Sequence, residues 1–171
     1  MKLIVFSGLP GTGKSTLAEM LGKQLSIPVF AKDWLEAVML RSGLQSASNE
    51  QALGYVGYEL LAMLAERQLM LNQSVILDSV AGTNSIRTTW KELSQQYGAD
   101  WRVVECVCSD ESLHRSRLSV RERNIPGWHE LKWANVEKVK QHYQPWSEDR
   151  LVLDMSNSID ENISRVKSYC E

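Results

Sequence analysis

Residues 3–17 of the chain read Leu3-Ile4-Val5-Phe6-Ser7-Gly8-Leu9-Pro10-Gly11-Thr12-Gly13-Lys14-Ser15-Thr16-Leu17. The stretch begins as an apolar run, passes through a glycine-rich turn and continues in a helical pattern. Gly8, Gly13, Lys14 and Ser15 fit the spacing G-x-x-x-x-G-K-[ST], the signature of a phosphate-binding loop between a strand and a helix. The sequence therefore predicts a buried strand, an anion-binding turn and a helix in direct succession.

The spacing of this loop has a physical reason. Glycines allow the backbone to curl so that successive N–H groups point inward as an anion-binding nest. The helix that begins near Lys14 directs the positive end of its dipole at the same point. Lys14 can reach the β- and γ-phosphates of a nucleotide, and the Ser15 hydroxyl can ligate Mg²⁺. We therefore expect ATP and Mg²⁺ to bind here, with nucleotide contacts from Gly8, Leu9, Pro10, Gly11, Thr12, Gly13, Lys14, Ser15 and Thr16.

Size and composition set limits on the class of protein. The chain has 171 residues and a formal net charge of -2. This length suits a single domain, residues 1–171, with a sizeable core. The charge gives no whole-chain attraction to nucleic acid or to an anionic membrane, and no apolar run approaches the roughly 18 residues that span a bilayer. The apolar run before the loop is too short for a secretory signal, so we expect a cytoplasmic protein.

Strand-like apolar runs alternate with helical patterns along the whole chain. Strands are predicted at residues 2–7, 28–31, 74–79, 101–107 and 151–154, and helices at 13–25, 33–42, 49–71, 86–97, 109–123, 128–143 and 159–169. This alternation predicts an α/β fold, in which a parallel sheet carries helices on both faces. Ligands in such folds bind at the carboxyl ends of the strands. The glycine loop, Asp33, Asp78 and Asp154 all follow predicted strands, so the candidate chemistry lies along one edge of the sheet.

Two of these carboxylates have candidate roles in phosphoryl transfer. Asp78 closes an apolar strand and fits the acid that holds the magnesium shell, so Ser15 and Asp78 are the predicted metal ligands. Asp33 follows the second strand, which can lie beside the glycine loop. A carboxylate there could accept a proton from a hydroxyl that attacks the γ-phosphate. Alternatively Asp33 caps the next helix, and the two roles are compatible.

Four arginines crowd one short stretch, at positions 115, 117, 121 and 123. Arg117 and Arg121 are four residues apart, which would place them on one face of the predicted helix. Their forked donors could offset the charge of a transferring phosphoryl group. The alternative is a solvated basic face. We expect Arg117 and Arg121 to act on the phosphates and rank Arg115 and Arg123 below them.

Other features of the chain leave alternatives open. Gly54 and Gly57 in the predicted helix at 49–71 indicate either close backbone packing or a break. Lys32 and Arg41 could contact an anionic substrate. The aromatic residues beyond the arginine cluster could line a pocket for a base, but packing of a flap against the domain is favoured; they are Trp128, Trp133, Tyr143 and Trp146.

Together the loop, Asp33, Asp78 and the arginine pair resemble the small P-loop kinases of the AAA-type ATP-binding group. That group includes zeta-toxin-like, chloramphenicol phosphotransferase-like and polynucleotide kinase-like proteins. The resemblance implies a three-layer P-loop NTPase fold with strand order 2-3-1-4-5 and a short helical lid at about residues 115–146. It also implies that Asp33 activates the acceptor hydroxyl, that Arg117 and Arg121 approach the nucleotide from the lid, and that residues 154–158 contact adenine.

These expectations favour an ATP-dependent kinase that phosphorylates a hydroxyl of a small molecule. Its catalytic residues would be Lys14, Asp33, Arg117 and Arg121, and the acceptor is not named by the sequence. Two alternatives stay open. A polynucleotide 5′-hydroxyl kinase needs a basic track for the strand, which the chain offers only near residues 115–123. A non-catalytic ATP-binding module would need neither Asp33 nor the arginine pair.

Overall fold

The computed structural model describes residues 1–44 and 50–171. Its strands are β1 (Lys2–Ser7), β2 (Val29–Ala31), β3 (Val75–Asp78), β4 (Asp100–Val107) and β5 (Leu151–Asp154). Its helices are α1 (Lys14–Leu25), α2 (Lys32–Arg41), α3 (Glu50–Met70), α4 (Asn84–Gln96), α5 (Glu111–Val120), α6 (Trp133–His142) and α7 (Ile159–Cys170). Strands and helices therefore alternate as the sequence predicts.

The five strands form one parallel sheet in the order β2-β3-β1-β4-β5. This confirms the three-layer α/β fold and the strand order. The first strand lies in the middle because its residues 3–6 are apolar on both faces, and all four are fully buried. A central parallel strand is covered by helices on both sides, so it needs apolar side chains in both directions.

The two faces of the sheet carry separate apolar cores. Ile4 and Phe6 point to the face that α1 and α7 cover, where they pack with Leu17, Leu21 and Ile163. The alternate side chains of β1 point to the opposite face, which α3 and α4 cover, and its core includes Leu3, Val5, Leu61, Leu77 and Trp90. The period of two along β1 thus assigns each side chain to one layer.

The carboxyl ends of the strands are in register at one edge of the sheet. Asp78 pairs with Phe6 of β1 and with Ala31 of β2. On the other side of β1, Ser7 pairs with Glu105. The glycine loop and the residues that follow β2, β3 and β5 therefore meet at this edge, as expected.

The arginine-rich stretch differs from the prediction. The helix expected at 109–123 ends at Val120, and the helix expected at 128–143 begins at Trp133. Between them Asn124 takes a positive φ of 52°, and Pro126 disfavours helical backbone at the residue before it. Arg121 has extended backbone (φ -72°, ψ 128°). The prediction that Arg117 and Arg121 share one helical face is therefore wrong.

The glycines of α3 do not break the helix. This helix runs continuously from Glu50 to Met70, and its Gly57 faces α2 at close range: a Cβ there would come 3.3 Å from side-chain carbons of Lys32 and Glu36. Close packing, rather than a break, is the reason for the glycine. The predicted start of this helix at Asn49 lies outside the described residues.

Two further observations concern the whole fold. Within residues 1–44 and 50–171, no helix has the length and apolar character needed to cross a membrane. All three cysteines are free thiols, with Cys106 and Cys170 buried and Cys108 partly exposed.

Candidate active site

The glycine loop, residues 8–16, is held in a backbone conformation that L side chains rarely adopt. Gly8, Gly11 and Gly13 have φ values of 141°, 84° and 97°. At Gly8 a Cβ would lie 2.2 Å from the carbonyl oxygen of Cys106 on β4. Only glycine fits there, because both the positive φ and the close strand exclude a side chain. The Thr12 hydroxyl donates to the Leu9 carbonyl (2.9 Å) and closes the turn.

The loop leads directly into α1, whose N-cap is Gly13. A glycine cap has no side chain to accept from the first N–H groups of the helix, so these donors face the cleft in front of the loop. Lys14 and Ser15 open the helix, and Lys14 is buried. The cleft has a volume of about 590 Å³, and its lining includes Gly11, Gly13, Lys14, Ser15, Thr16, Arg117, Arg121, Arg123, Met155 and Asn157.

Asp78 lies beneath this cleft at the end of β3. Its side chain is buried, and its Oδ1 atom has no hydrogen-bond partner among the described residues. Burial raises the pKa of this carboxyl, whereas the neighbouring Lys14 and Ser15 lower it. A buried oxygen without a partner is a site that a cation can satisfy.

The donor set fits Mg²⁺ rather than a metal held by protein alone. The described residues contain no group of three or more His, Cys, Asp or Glu side chains that could hold an ion. Magnesium is commonly bound by one or two side chains together with phosphate oxygens and water. Asp78 and the Ser15 hydroxyl can supply that protein part.

Asp33 does not cap its helix. The N-cap of α2 is Ala31, and Asp33 lies in the first turn. Its Oδ2 atom instead accepts from Arg123 Nη1 (3.0 Å) and lies 3.8 Å from Arg121 Nη2. The interpretation of Asp33 as an N-cap is therefore wrong, and its carboxylate is committed to the arginines that line the cleft.

Arg123 joins the two sides of the site. Besides Asp33, its Nη1 atom donates to the Ser15 hydroxyl at 3.0 Å. The side chain is 9% exposed, and its Nη2 atom is buried and has no hydrogen-bond partner in the described part of the chain. Sequence reasoning ranked this arginine low. No local signal marks it, since its partners are 90 and 108 residues away.

The other arginines divide into two groups. Arg117 lines the cleft and donates to the Met155 carbonyl at 2.6 Å, and Arg121 also lines it. Arg115 instead pairs with Glu111 and lies over the ring of Trp133, 4.2 Å from its centroid. The structure thus brings Arg117, Arg121 and Arg123 to the cleft and leaves Arg115 on the outer surface of the lid.

A histidine that sequence reasoning gave no role connects the lid to the loop. His114 of α5 is buried, and its Nε2 atom lies 2.8 Å from the Pro10 carbonyl oxygen. The edge of its ring meets Trp133 of α6 at a centroid distance of 5.0 Å. A lone histidine in a helical pattern gives no hint of such a contact. It fixes the base of the lid segment, residues 115–146, on the glycine loop.

The far end of the lid segment is fixed by buried polar contacts. Arg87 of α4 donates to the carbonyls of Ala81 (2.8 Å), Gln144 (2.7 Å) and Pro145 (3.0 Å). Its guanidinium carbon lies 3.9 Å from the centroid of a Trp146 ring. Trp146 is buried, so it packs the segment against the domain, which is the favoured interpretation of the aromatic residues.

Asp154 organises the segment after β5. Its Oδ1 atom accepts from the backbone N–H groups of Ser156 (2.9 Å) and Ser109 (3.2 Å). Hydrogen bonds from these two residues lower the pKa of this carboxyl well below its usual range. Met155 and Asn157 line the cleft, and contact of residues 154–158 with adenine stays a prediction.

Comparisons with known proteins find a family and similar folds. A family model described as AAA domain matches residues 3–146. A provisionally assigned kinase from Chloroflexus aurantiacus superposes with a TM-score of 0.77 at 22% identity, covering 99% of this chain and 98% of that one. For a sugar kinase from Janibacter sp. HTCC2649 the TM-score is 0.74 at 15% identity, covering 99% and 94%. For the APS kinase CysC of Mycobacterium tuberculosis, solved with AMPPNP and APS, it is 0.66 at 21% identity, covering 99% and 96%.

The family model spans most of the chain, so the chain belongs to the AAA domain family. The resemblance to small AAA-type P-loop kinases is thereby confirmed. At these identities the solved structures show a shared fold.

Proposed function

We propose that this member of the AAA domain family is an ATP-dependent kinase that transfers the γ-phosphoryl group to a hydroxyl of a small molecule. One observation carries the proposal. A single nitrogen of Arg123 contacts both the Ser15 hydroxyl of the glycine loop and the Asp33 carboxylate, each at 3.0 Å. A candidate metal ligand and a candidate base therefore face each other across one guanidinium. A protein that merely held a nucleotide would not need the carboxylate.

The position of each residue in the cleft suggests its role in ATP binding or phosphoryl transfer. The N–H groups of the loop and Lys14 would hold the phosphates of ATP. Mg²⁺ bound to Ser15 and Asp78 would supply positive charge to the phosphate oxygens. Arg117, Arg121 and Arg123 line the cleft opposite the loop, so they can neutralise charge that develops during transfer. They also cover the cleft and exclude water.

Asp33 would orient the acceptor hydroxyl and accept its proton as the oxygen attacks the phosphorus atom. Its side chain is 27% exposed, so an acceptor can reach it from the side away from Arg123. When phosphate oxygens engage the arginines, the carboxylate loses its present partners and becomes free for the acceptor. The similar folds support this proposal, since two of them are described as a sugar kinase and an APS kinase.

The test is the variant Asp33→Asn. We expect it to bind ATP and Mg²⁺ as the unaltered protein does but to lose transfer by about 10²- to 10⁴-fold, the usual contribution of a general base. Binding is measured by calorimetry with AMPPNP and Mg²⁺, and transfer by ADP release across a panel of sugars, antibiotics, nucleosides and short oligonucleotides. Asp149→Asn, at an exposed position, is the matched control and should change neither measurement.

The outcomes separate the three candidate functions. ADP release that depends on an oligonucleotide 5′-hydroxyl would favour the polynucleotide kinase. Tight ATP binding without release for any acceptor would favour a non-catalytic module. Normal turnover by Asp33→Asn with an identified acceptor would show that Asp33 is not the base.

A further inference from the structure

Beside Asp33, α2 carries a largely buried ion pair. Lys32 Nζ contacts the Glu36 carboxylate one helical turn away, and the two side chains are 13% and 15% exposed. Lys32 Nζ also lies 4.6 Å from the centroid of the Tyr58 ring on α3. Residues 32, 33 and 36 lie on one side of the helix because their spacings are three and four. The pair is therefore the charged group on α2 that lies nearest to an acceptor held at Asp33.

The close approach of this pair to α3 requires a glycine that lowers the stability of that helix. A Cβ at Gly57 would come 3.3 Å from carbons of Lys32 and Glu36, which is closer than ordinary van der Waals contact. Glycine in a helix interior is less favourable than alanine. A buried ion pair adds little to stability over apolar residues of similar size. Burial raises the pKa of Glu36, and Lys32 opposes that shift. The arrangement is thus costly for the fold, and recognition of a ligand is a reason to keep it.

The charges near Asp33 bear on whether the acceptor carries a negative charge. Lys32 is paired with Glu36, so its charge is largely balanced within α2. Arg121 and Arg123 face the phosphate cleft, and Arg41 donates to the Pro126 carbonyl at the exposed surface. Once ATP engages the cleft arginines, two carboxylates, Asp33 and Glu36, face the single ammonium of Lys32.

Two further groups, Tyr58 and His129, lie near the pair. Burial raises the pKa of the Tyr58 phenol well above its usual range, so it stays neutral. His129 of the lid segment lies near Glu36 and stacks on Trp128 at 5.0 Å.

We propose that Lys32 and Glu36 are specificity-determining residues and that the acceptor is an uncharged or amine-bearing polyol. The Glu36 carboxylate accepts hydrogen bonds from a hydroxyl or ammonium of the acceptor, and the Lys32 ammonium donates to a second hydroxyl. Acceptors with a carboxylate, sulfate or phosphate near the reacting hydroxyl are rejected by Asp33 and Glu36. The inference rests on the proposed kinase function and names its substrate class.

The experiment compares acceptors of one carbon skeleton but different charge. Glucose, glucosamine and gluconate, with matched sets of nucleosides and nucleotides and an aminoglycoside, are tested for binding by calorimetry in the presence of Mg²⁺ and AMPPNP, and for ADP release with ATP. We expect the uncharged or cationic member of a set to exceed the anionic one by about tenfold or more, since like charges across an interface are strongly disfavoured.

Variants assign the preference to the pair. Glu36→Gln should reduce that ratio about tenfold while leaving the affinity for AMPPNP unchanged. Glu59→Gln removes the same charge from an exposed position on α3 and should leave the ratio unchanged. Gly57→Ala keeps every charge but displaces the pair, so it should raise the KM of the acceptor and leave ATP binding intact.

The result that overturns the inference is preferential binding or turnover of anionic acceptors, or no response from any uncharged or cationic polyol. An unchanged ratio in Glu36→Gln overturns it as well. These failures are distinct from failure of the kinase proposal, in which AMPPNP and Mg²⁺ would give no heat.

Discussion

The glycine loop and the lid segment form opposite walls of one cleft, but their positions have different causes. The loop is fixed by its own backbone, through three glycines with positive φ and a close contact of Gly8 with β4. The lid segment includes extended backbone at Arg121 and a positive φ at Asn124. Long-range contacts hold it in place, at His114 on one end and Arg87 on the other.

Because of this difference, we expect substitutions in the loop to affect mainly stability and substitutions in the lid arginines to affect mainly turnover. A change in the loop alters the packing of the central strand, so it should reduce the free energy of unfolding. A change in the lid arginines alters an ion pair whose carboxylate is partly exposed, so it should slow transfer and leave the fold intact. Three substitutions test this separation, in order of their expected effect on stability.

Gly8→Ala should have the largest effect. Its Cβ would overlap the Cys106 carbonyl oxygen at 2.2 Å in a backbone with φ of 141°. Strain and overpacking together should lower the free energy of unfolding by about 4 kcal/mol, measured by equilibrium urea unfolding. Gly98→Ala is the control, since Gly98 also has a positive φ (64°) but open space around it. Equal losses in both variants would show that the close strand does not constrain the loop.

Arg87→Met should follow, because it removes the contacts that fix the end of the lid segment. Three carbonyls would lose their buried donor, and we expect a loss of about 3 kcal/mol in the same assay. The control is Lys91→Met on the same helix, whose ion pair with Glu148 is partly exposed and should contribute less than about 1 kcal/mol. A loss no greater than that of the control would mean that the end of the lid does not depend on Arg87.

Arg123→Met should have the smallest effect on stability and a large one on transfer. The Asp33 side chain is 27% exposed and can be hydrated when its partner is removed, and the substitution also removes a buried guanidinium nitrogen that has no hydrogen-bond partner among the described residues. The loss should therefore stay below that of Arg87→Met, at about 1–2 kcal/mol. Turnover should fall about 10²-fold, as when one donor to a developing charge is removed. Arg115→Met on the outer surface of the lid should change neither quantity. Full turnover in Arg123→Met would remove the link between this arginine and catalysis.

The same contrast explains what could be predicted from the sequence. The strand, loop and helix at residues 2–25 depend on neighbours in sequence, so a local pattern sufficed. The order of elements and the place of Asp78 at the end of β3 followed from hydrophobic runs and their ends. These features position the phosphate side of the site.

The acceptor side and the lid depend on contacts that no local pattern encodes. Asp33 precedes a helical run, which favours an N-cap, but the helix begins one residue earlier and its carboxylate pairs with a residue 90 positions away. Arg87 lies in a predicted helix, where an arginine is usually exposed. It is buried instead, because carbonyls of residues 144 and 145 supply its acceptors.

The Arg123 nitrogen that contacts both Ser15 and Asp33 bears on the order in which the two substrates bind. Because one atom holds both the Ser15 hydroxyl and the Asp33 carboxylate, the two groups are released together. If Mg²⁺-nucleotide draws this guanidinium toward its phosphates, the carboxylate becomes available in the same event. The two substrates would then add in a compulsory order, nucleotide first, and an acceptor that arrives early would find no free proton acceptor.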